Sequence, residues 1–240
     1  MPDITLGPAP GGSRQLAGYL ARPAGTGPWP GVVVVHEAFG VDPVMRRQAD
    51  RLAAAGYLAL LPDLYSDGGA ARCVMGTFRA LFAGHGKPFA DIDVAQRWLR
   101  EQPDCTGKVG VIGFCMGGAF ALVTANRGFD ASSVNYGPLP PHIEEKLTGA
   151  CPIVASYGKK DVSTRGAAAK IERALTRLDI PHDVKLYPNA AHSFLNDAMV
   201  GPRPLRPLLK VTGFRPEPES AADAWRRIEA FFAEHLQPGN

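Results

Sequence analysis

Val109–Gly118 reads VGVIGFCMGG. The apolar run Val109–Ile112 predicts a short buried strand, and Ala119–Ala125 (AFALVTA) predicts a helix. Between them Gly113, Cys115 and Gly117 alternate with Phe114 and Met116. That order is a strand, a tight glycine-flanked turn and a helix, with one nucleophilic side chain at the tip. The spacing has a steric reason. A residue held at a strained backbone position needs small neighbours two before and two after it, so that strand and helix can approach closely. The next amide, that of Met116, then lies at a helix N-terminus facing the same site, where it can receive negative charge. The other reading of the same residues is a buried structural cysteine in a glycine-rich turn, because free cysteine is among the most buried residues.

Working outward, the chain has 240 residues, 45% hydrophobic and 20% charged. These values fit one α/β domain spanning residues 1–240. The net charge of +3 is small and scattered, which argues against nucleic acid as a partner. No basic segment leads into an apolar run at the start, and no apolar run is long enough to span a membrane, so a cytoplasmic location is expected. The four cysteines, Cys73, Cys105, Cys115 and Cys151, have no paired metal-ligand spacing, and only Cys115 has a special local context. The 27 glycines and 22 prolines are spread through turns rather than gathered in a linker.

The remaining pattern alternates strand and helix. The start reads as loop as far as Ser13, followed by an edge strand at Leu16–Ala21. Gly31–His36 (GVVVVH) is a β-branched run typical of a strand buried on both faces. Asp42-Pro43 opens a helix over Met45–Ala55, closed by Gly56, and Tyr57–Leu61 is the next strand. Ser66–Lys87 is the least regular part, with a short helix at Met75–Phe82; Ala90–Arg100 is helical. Further strands follow at Ser132–Tyr136, Pro152–Tyr157 and His182–Tyr187, with a helix at Ala167–Leu178. A proline-rich stretch, Gly201–Pro218, precedes a last helix over Ser220–His235. Such alternation predicts a mostly parallel sheet with helices on both faces, its site beyond the carboxyl ends of the strands.

Glu37, Cys115, Asp161 and His192 each lie just after a predicted strand. Nucleophile, acid and histidine in that chain order match the order in which such sheets assemble a triad. A cysteine needs a base or cation to form its thiolate at neutral pH, and His192 can serve. Asp161 would orient the ring and favour the imidazolium. Read blandly, Asp161 is a solvated turn aspartate and His192 a loop histidine; the other five histidines are bases on composition alone. Only His192 follows both a candidate acid and the strand expected after it. Glu37 directly follows a buried strand, where a carboxylate is costly unless paired or protonated. It could accept the thiol proton or hold it, or simply pair with Arg46 or Arg47. The N–H groups of Ala38 and Met116 are the candidate oxyanion donors, each worth roughly 3–4 kcal/mol in a transition state.

These stretches together resemble the dienelactone hydrolases, cysteine-dependent members of the α/β-hydrolase fold. The matching segments are HEAFG at His36–Gly40, PDLY at Pro62–Tyr65, GFCMGG at Gly113–Gly118, YGKKD at Tyr157–Asp161 and AHSF at Ala191–Phe194. The resemblance implies a triad of Cys115, His192 and Asp161, an acyl-cysteine intermediate, and a Glu37 that pairs with the resting thiol and takes its proton when substrate binds. It implies no metal and no organic cofactor. It places substrate contacts at Phe39 and Phe194, in the matching segments, and at Arg72, after PDLY. Family members hold a substrate carboxylate with two arginines. Here Ser193–Asp197 contains none, Arg72 or Arg79 stands near the first place, and Arg203 and Arg206 come later than the second.

The expectation is a hydrolase of a small ester or lactone, a monomer or small homo-oligomer that touches neither membrane nor nucleic acid. The rival expectation is a non-catalytic protein on the same fold that binds a small ligand or senses redox state through its thiol. A thioesterase or peptidase with the same triad would need a long groove or a large lid, and Gly201–Pro218 is the one sizeable insertion.

Overall fold

The computed structural model describes residues 3–237. Eight strands form one sheet: β1 (Asp3–Gly7), β2 (Leu16–Ala21), β3 (Trp29–Val35), β4 (Leu58–Pro62), β5 (Cys105–Phe114), β6 (Ala131–Asn135), β7 (Ile153–Gly158) and β8 (His182–Tyr187). Their order is β1-β2-β4-β3-β5-β6-β7-β8. β1–β2 and β2–β4 pair antiparallel, and the remaining pairings are all parallel. The helices are α1 (Pro43–Ala54), α2 (Ala70–Ala83), α3 (Lys87–Arg100), α4 (Met116–Thr124), α5 (Ile143–Leu147), α6 (Ala167–Arg177), α7 (Arg206–Val211) and α8 (Pro218–Leu236). This is the α/β-hydrolase fold.

The core strands explain their own position. In β3, Val33 and Val35 face one core with Ile92, Phe120 and Ile171 from α3, α4 and α6. Val32 and Val34 face the other, with Met45 and Leu52 of α1 and Trp225, Ile228 and Phe232 of α8. A strand apolar at every position is what a sheet covered on both faces requires. Each large side chain buried this way stabilises the fold by ~1.5–3 kcal/mol. The two covering helices are capped by their own sequence. Asp42 accepts from the Met45 amide at 2.9 Å, and Glu217 accepts from the Ser220 amide at 2.8 Å, each with proline at the first helical position. Among the described residues no helix is long and apolar enough to cross a membrane.

Three expectations need correction. The start is not loop as far as Ser13: Asp3–Gly7 pairs antiparallel with β2. It has no buried residue, so no hydrophobic alternation announces it. The short helix expected at Met75–Phe82 begins earlier, at Ala70, because its N-terminus is Gly69 with no side-chain cap to mark it. The proline-rich Gly201–Pro218 is not wholly irregular, since it holds a 3-10 turn at Arg203–Leu205 followed by α7.

Candidate active site

β5 ends at Phe114, and α4 begins at Met116. Cys115 alone makes the turn, with φ 54° and ψ −118°. A non-glycine residue in this region carries ~1–3 kcal/mol of strain and persists only where its surroundings over-determine it. Here they do. The Cys115 amide donates to Asn135 O at 3.1 Å, and its carbonyl accepts from the Ala119 amide at 3.3 Å. A Cβ on Gly113 would sit 1.9 Å from Gly117 O, and one on Gly117 would sit 2.0 Å from Val35 O. The two flanking glycines are therefore steric requirements of the turn.

His192 is 4% exposed and lies in the loop after β8. Its Nδ1 and Asp161 Oδ2 are 2.6 Å apart. Asp161 follows β7 and is held from several sides: Oδ1 accepts from the Ser163 amide (2.9 Å) and hydroxyl (2.6 Å), and Oδ2 from the Thr164 hydroxyl (2.8 Å). Burial opposes its ionisation, but hydrogen bonding and charge from His192, with help from Ser163 and Thr164, bring its pKa down to about 2. Ser163 and Thr164 carry no signal in the sequence beyond ordinary turn composition. Tyr136 meets the imidazole edge at 5.1 Å between ring centroids, and Phe214 approaches it at 4.4 Å. Burial would lower the His192 pKa; the neighbouring Cys115 first, then Asp161, raise it to about 10. The sulfur is thus close enough to govern the charge of the ring. His192 Nε2 is buried without a hydrogen-bond partner among the described residues.

Glu37 is 1% exposed. Its Oε1 accepts from Tyr136 Oη (3.2 Å), Ser193 Oγ (3.0 Å) and Asn196 Nδ2 (3.0 Å). Oε2 is buried with no partner among the described residues. Burial raises the Glu37 pKa above the usual carboxylate range, against the pull of His192, Asn196 and Ser193. Two expectations for Glu37 change accordingly. Neither Arg46 nor Arg47 pairs with it, because Arg46 bonds Asp3 and Arg47 bonds Asp197. Nor does it hold the resting thiol in this structure: its three donors are Tyr136, Ser193 and Asn196. They come from two places in the chain, the loop after β6 and the loop that carries His192. Two of them, Tyr136 (φ 41°) and Ser193 (φ 61°), share with Cys115 a positive φ, which only five non-glycine residues show among those described. Backbone strain is concentrated around this site.

The loop after β3 is set by His36. Its Nδ1 lies 2.6 Å from Glu37 O, and its Nε2 accepts from the Leu64 amide at 3.2 Å, which fixes Nδ1 as the protonated nitrogen. Burial lowers its pKa and keeps the ring neutral. Tyr65 Oη donates to Ala38 O (3.0 Å) and approaches Met116 Sδ (3.7 Å), so Ala38 and Met116 are tied to one hydroxyl.

The expected substrate contacts separate. Phe39 lines a cleft of about 590 Å³ next to Ala38, with Val74 of α2 and with Leu205 and Arg206 on the far wall. Arg72 does not reach it: on the other face of α2, Arg72 lines a second groove with Leu64, Thr77 and Lys87. Phe194 is a core residue, fully buried and packed on Tyr136 and Tyr187 at 5.6 and 5.1 Å between centroids. Arg206, which sequence spacing alone could not place, is in the cleft wall with its Nε donating to Gly201 O at 3.1 Å.

The chain is similar in sequence and fold to known proteins. A carboxymethylenebutenolidase of Rhodococcus opacus is 26% identical, over 92% of this chain and 88% of its own. The solved structure of m3DLH superposes with a TM-score of 0.79 at 28% identity, covering 98% of both chains. So does that of P91, a dienelactone hydrolase-like promiscuous phosphotriesterase from metagenomic libraries, at 25% identity with TM-score 0.79 and 98% of both chains covered. The model of the dienelactone hydrolase family matches residues 16–236. With eight strands in the order of an α/β-hydrolase and a glycine-flanked cysteine at the turn after β5, the chain belongs to the dienelactone hydrolase family and is a hydrolase of that type.

Proposed function

We propose that the protein hydrolyses small carboxylic esters or lactones through a Cys115–His192–Asp161 triad and an acyl-cysteine intermediate. The observation that carries this reading is the imidazole itself. One nitrogen is 2.6 Å from a carboxylate oxygen, and the other is buried, unpartnered and next to the Cys115 sulfur. A ring so placed can take the thiol proton at Nε2 while Asp161 fixes the tautomer and stabilises the imidazolium.

The thiolate then attacks the ester carbonyl. A carbon–sulfur bond forms, and the carbonyl electron pair moves onto oxygen. The amides of Ala38 and Met116 receive that charge, the second of them at the start of α4, where the helix dipole adds to it. Collapse of the tetrahedral species expels the alkoxide, which takes the proton from His192 Nε2. Water, deprotonated by the same nitrogen, attacks the thioester and releases the acid and the thiol. Glu37 is a buried carboxyl beside the ring. When ionised it favours the imidazolium, and the hydrogen bonds it accepts from Ser193 and Asn196 hold the segment that carries His192.

Turnover of p-nitrophenyl acetate by the wild type and by Cys115→Ala tests this directly. The wild type should turn over and the variant should fall to the buffer rate. Equal rates would refute the nucleophile.

A further inference from the structure

The cleft beside Ala38 departs from what a carboxylate-bearing substrate requires. Its walls are Phe39 from the loop after β3, Ala70, Ala71 and Val74 from α2, and Leu205 from the turn before α7. The only charged side chains among its lining are Asp42 and Arg206, one of each sign. Both are engaged. Asp42 caps α1 through the Met45 amide at 2.9 Å, and Arg206 Nε donates to Gly201 O at 3.1 Å. Arg72, in the first turn of α2, opens onto a different groove. A substrate carboxylate here would be desolvated against alkyl and aromatic walls, with one arginine for it and one aspartate against it. The cleft adjoins the candidate reaction centre at Ala38. Ala38 forms part of its lining, and Tyr65 Oη ties the Ala38 carbonyl to Met116 of the elbow.

We infer that this cleft binds an uncharged alkyl or aryl substituent of the ester, so that the enzyme selects neutral, apolar esters or lactones over carboxylate-bearing ones. The inference rests on the hydrolase reading above. A volume near 590 Å³ accommodates a small-molecule substituent of several carbons. Leu205 is 48% exposed, so the outer wall is open and longer chains gain less than the first few carbons do.

The experiment measures kcat/KM along two series, p-nitrophenyl acetate to hexanoate and methyl to hexyl acetate. A p-nitrophenyl ester ending in a free carboxylate is included at matched length. In at least one series kcat/KM should rise about two- to fourfold per methylene, the upper figure being the fold-change of ~0.8 kcal/mol per buried CH₂. The carboxylate-terminated ester should be slower than its neutral counterpart. Val74→Asp and Leu205→Asp should each cut the ratio of longest to shortest ester at least fivefold; Leu205 is exposed enough that its replacement does not threaten the fold. Cys115-dependent turnover of acetate with flat profiles in both series, or with preference for the carboxylate-terminated ester, would overturn the inference and leave the hydrolase reading standing. No turnover of any ester, acetate included, would overturn the hydrolase reading and this inference with it.

Discussion

The same chemical change, glycine to alanine, should have opposite signs at two positions. At Gly117 the added Cβ would lie 2.0 Å from Val35 O, 2.6 Å from Val35 C and 2.7 Å from His36 O. All three atoms are backbone, so no side chain can swing aside. Reaching ordinary contact, ~3.5 Å, means parting the elbow from the end of β3 by about 1.5 Å. That would tear the parallel pairing of Val35 with Gly113. Overpacking against mobile side chains costs ~1–3 kcal/mol, so a clash with fixed backbone should cost about 3 kcal/mol or more. At ~2–4 °C per kcal/mol for a chain of this size, Tm should fall by roughly 6–12 °C. At Gly76, in the middle of α2, a Cβ meets no atom within 4 Å. There alanine should add ~0.5–1 kcal/mol by narrowing the unfolded chain's freedom. Thermal unfolding followed by circular dichroism, together with urea midpoints, reads both. A Gly117→Ala protein melting within 2 °C of wild type, with the Gly76→Ala control shifted upward as expected, would refute the packing of strand, elbow and helix described above.

Other consequences concern charge. Cys115→Ser removes the neighbour that most raises the imidazole pKa, so the His192 pKa should fall from about 10. Ring-proton NMR titration checks this, and an unchanged pKa would show that the sulfur does not govern the ring. Asp161→Asn should lower kcat/KM on the order of 10³–10⁴-fold with native circular dichroism, because the amide favours the wrong tautomer; a loss under tenfold would remove Asp161 from the triad. Glu37 has a folded-state pKa raised by burial, so the native state binds its proton more tightly than the unfolded chain does. Wild-type stability should therefore fall as pH rises from the ordinary glutamate pKa of 4.5 through the raised one, and Glu37→Gln should remove that fall. Urea midpoints of both proteins across pH 4–8 with parallel profiles would contradict it.

The elbow was legible because its constraint is local. Three residues two apart, Gly113, Cys115 and Gly117, carry the steric requirement within one turn, and the buried runs Gly31–His36 and Val109–Ile112 announce the strands on either side. What could not be read is what depends on which way a side chain faces. Arg72 and Val74 are two residues apart in sequence, yet α2 turns them into different grooves. Phe194, adjacent in sequence to the site, is buried on Tyr136 and Tyr187. β1 escaped notice because an exposed edge strand needs backbone partners and no apolar face. The partners of Glu37 escaped it for a further reason. Tyr136 and Ser193 reach the carboxylate from backbone conformations disfavoured for their residue type, which no propensity foretells.

The resting state of the thiol follows from the two carboxyl groups beside His192. Asp161 holds Nδ1 at 2.6 Å, and a pKa near 2 keeps it ionised at any working pH. It therefore favours the imidazolium at all times. Glu37 differs: burial raises its pKa, and its ionisation is favoured by the positive ring itself. In the proposed mechanism, proton transfer from Cys115 to His192 and ionisation of Glu37 would be coupled, because an imidazolium and a Glu37 carboxylate stabilise each other. Excluding water from the cleft would strengthen that coupling by lowering the local dielectric around His192. In the proposed triad an ionised Glu37 would therefore favour thiol deprotonation by stabilising the imidazolium, without itself bonding the sulfur.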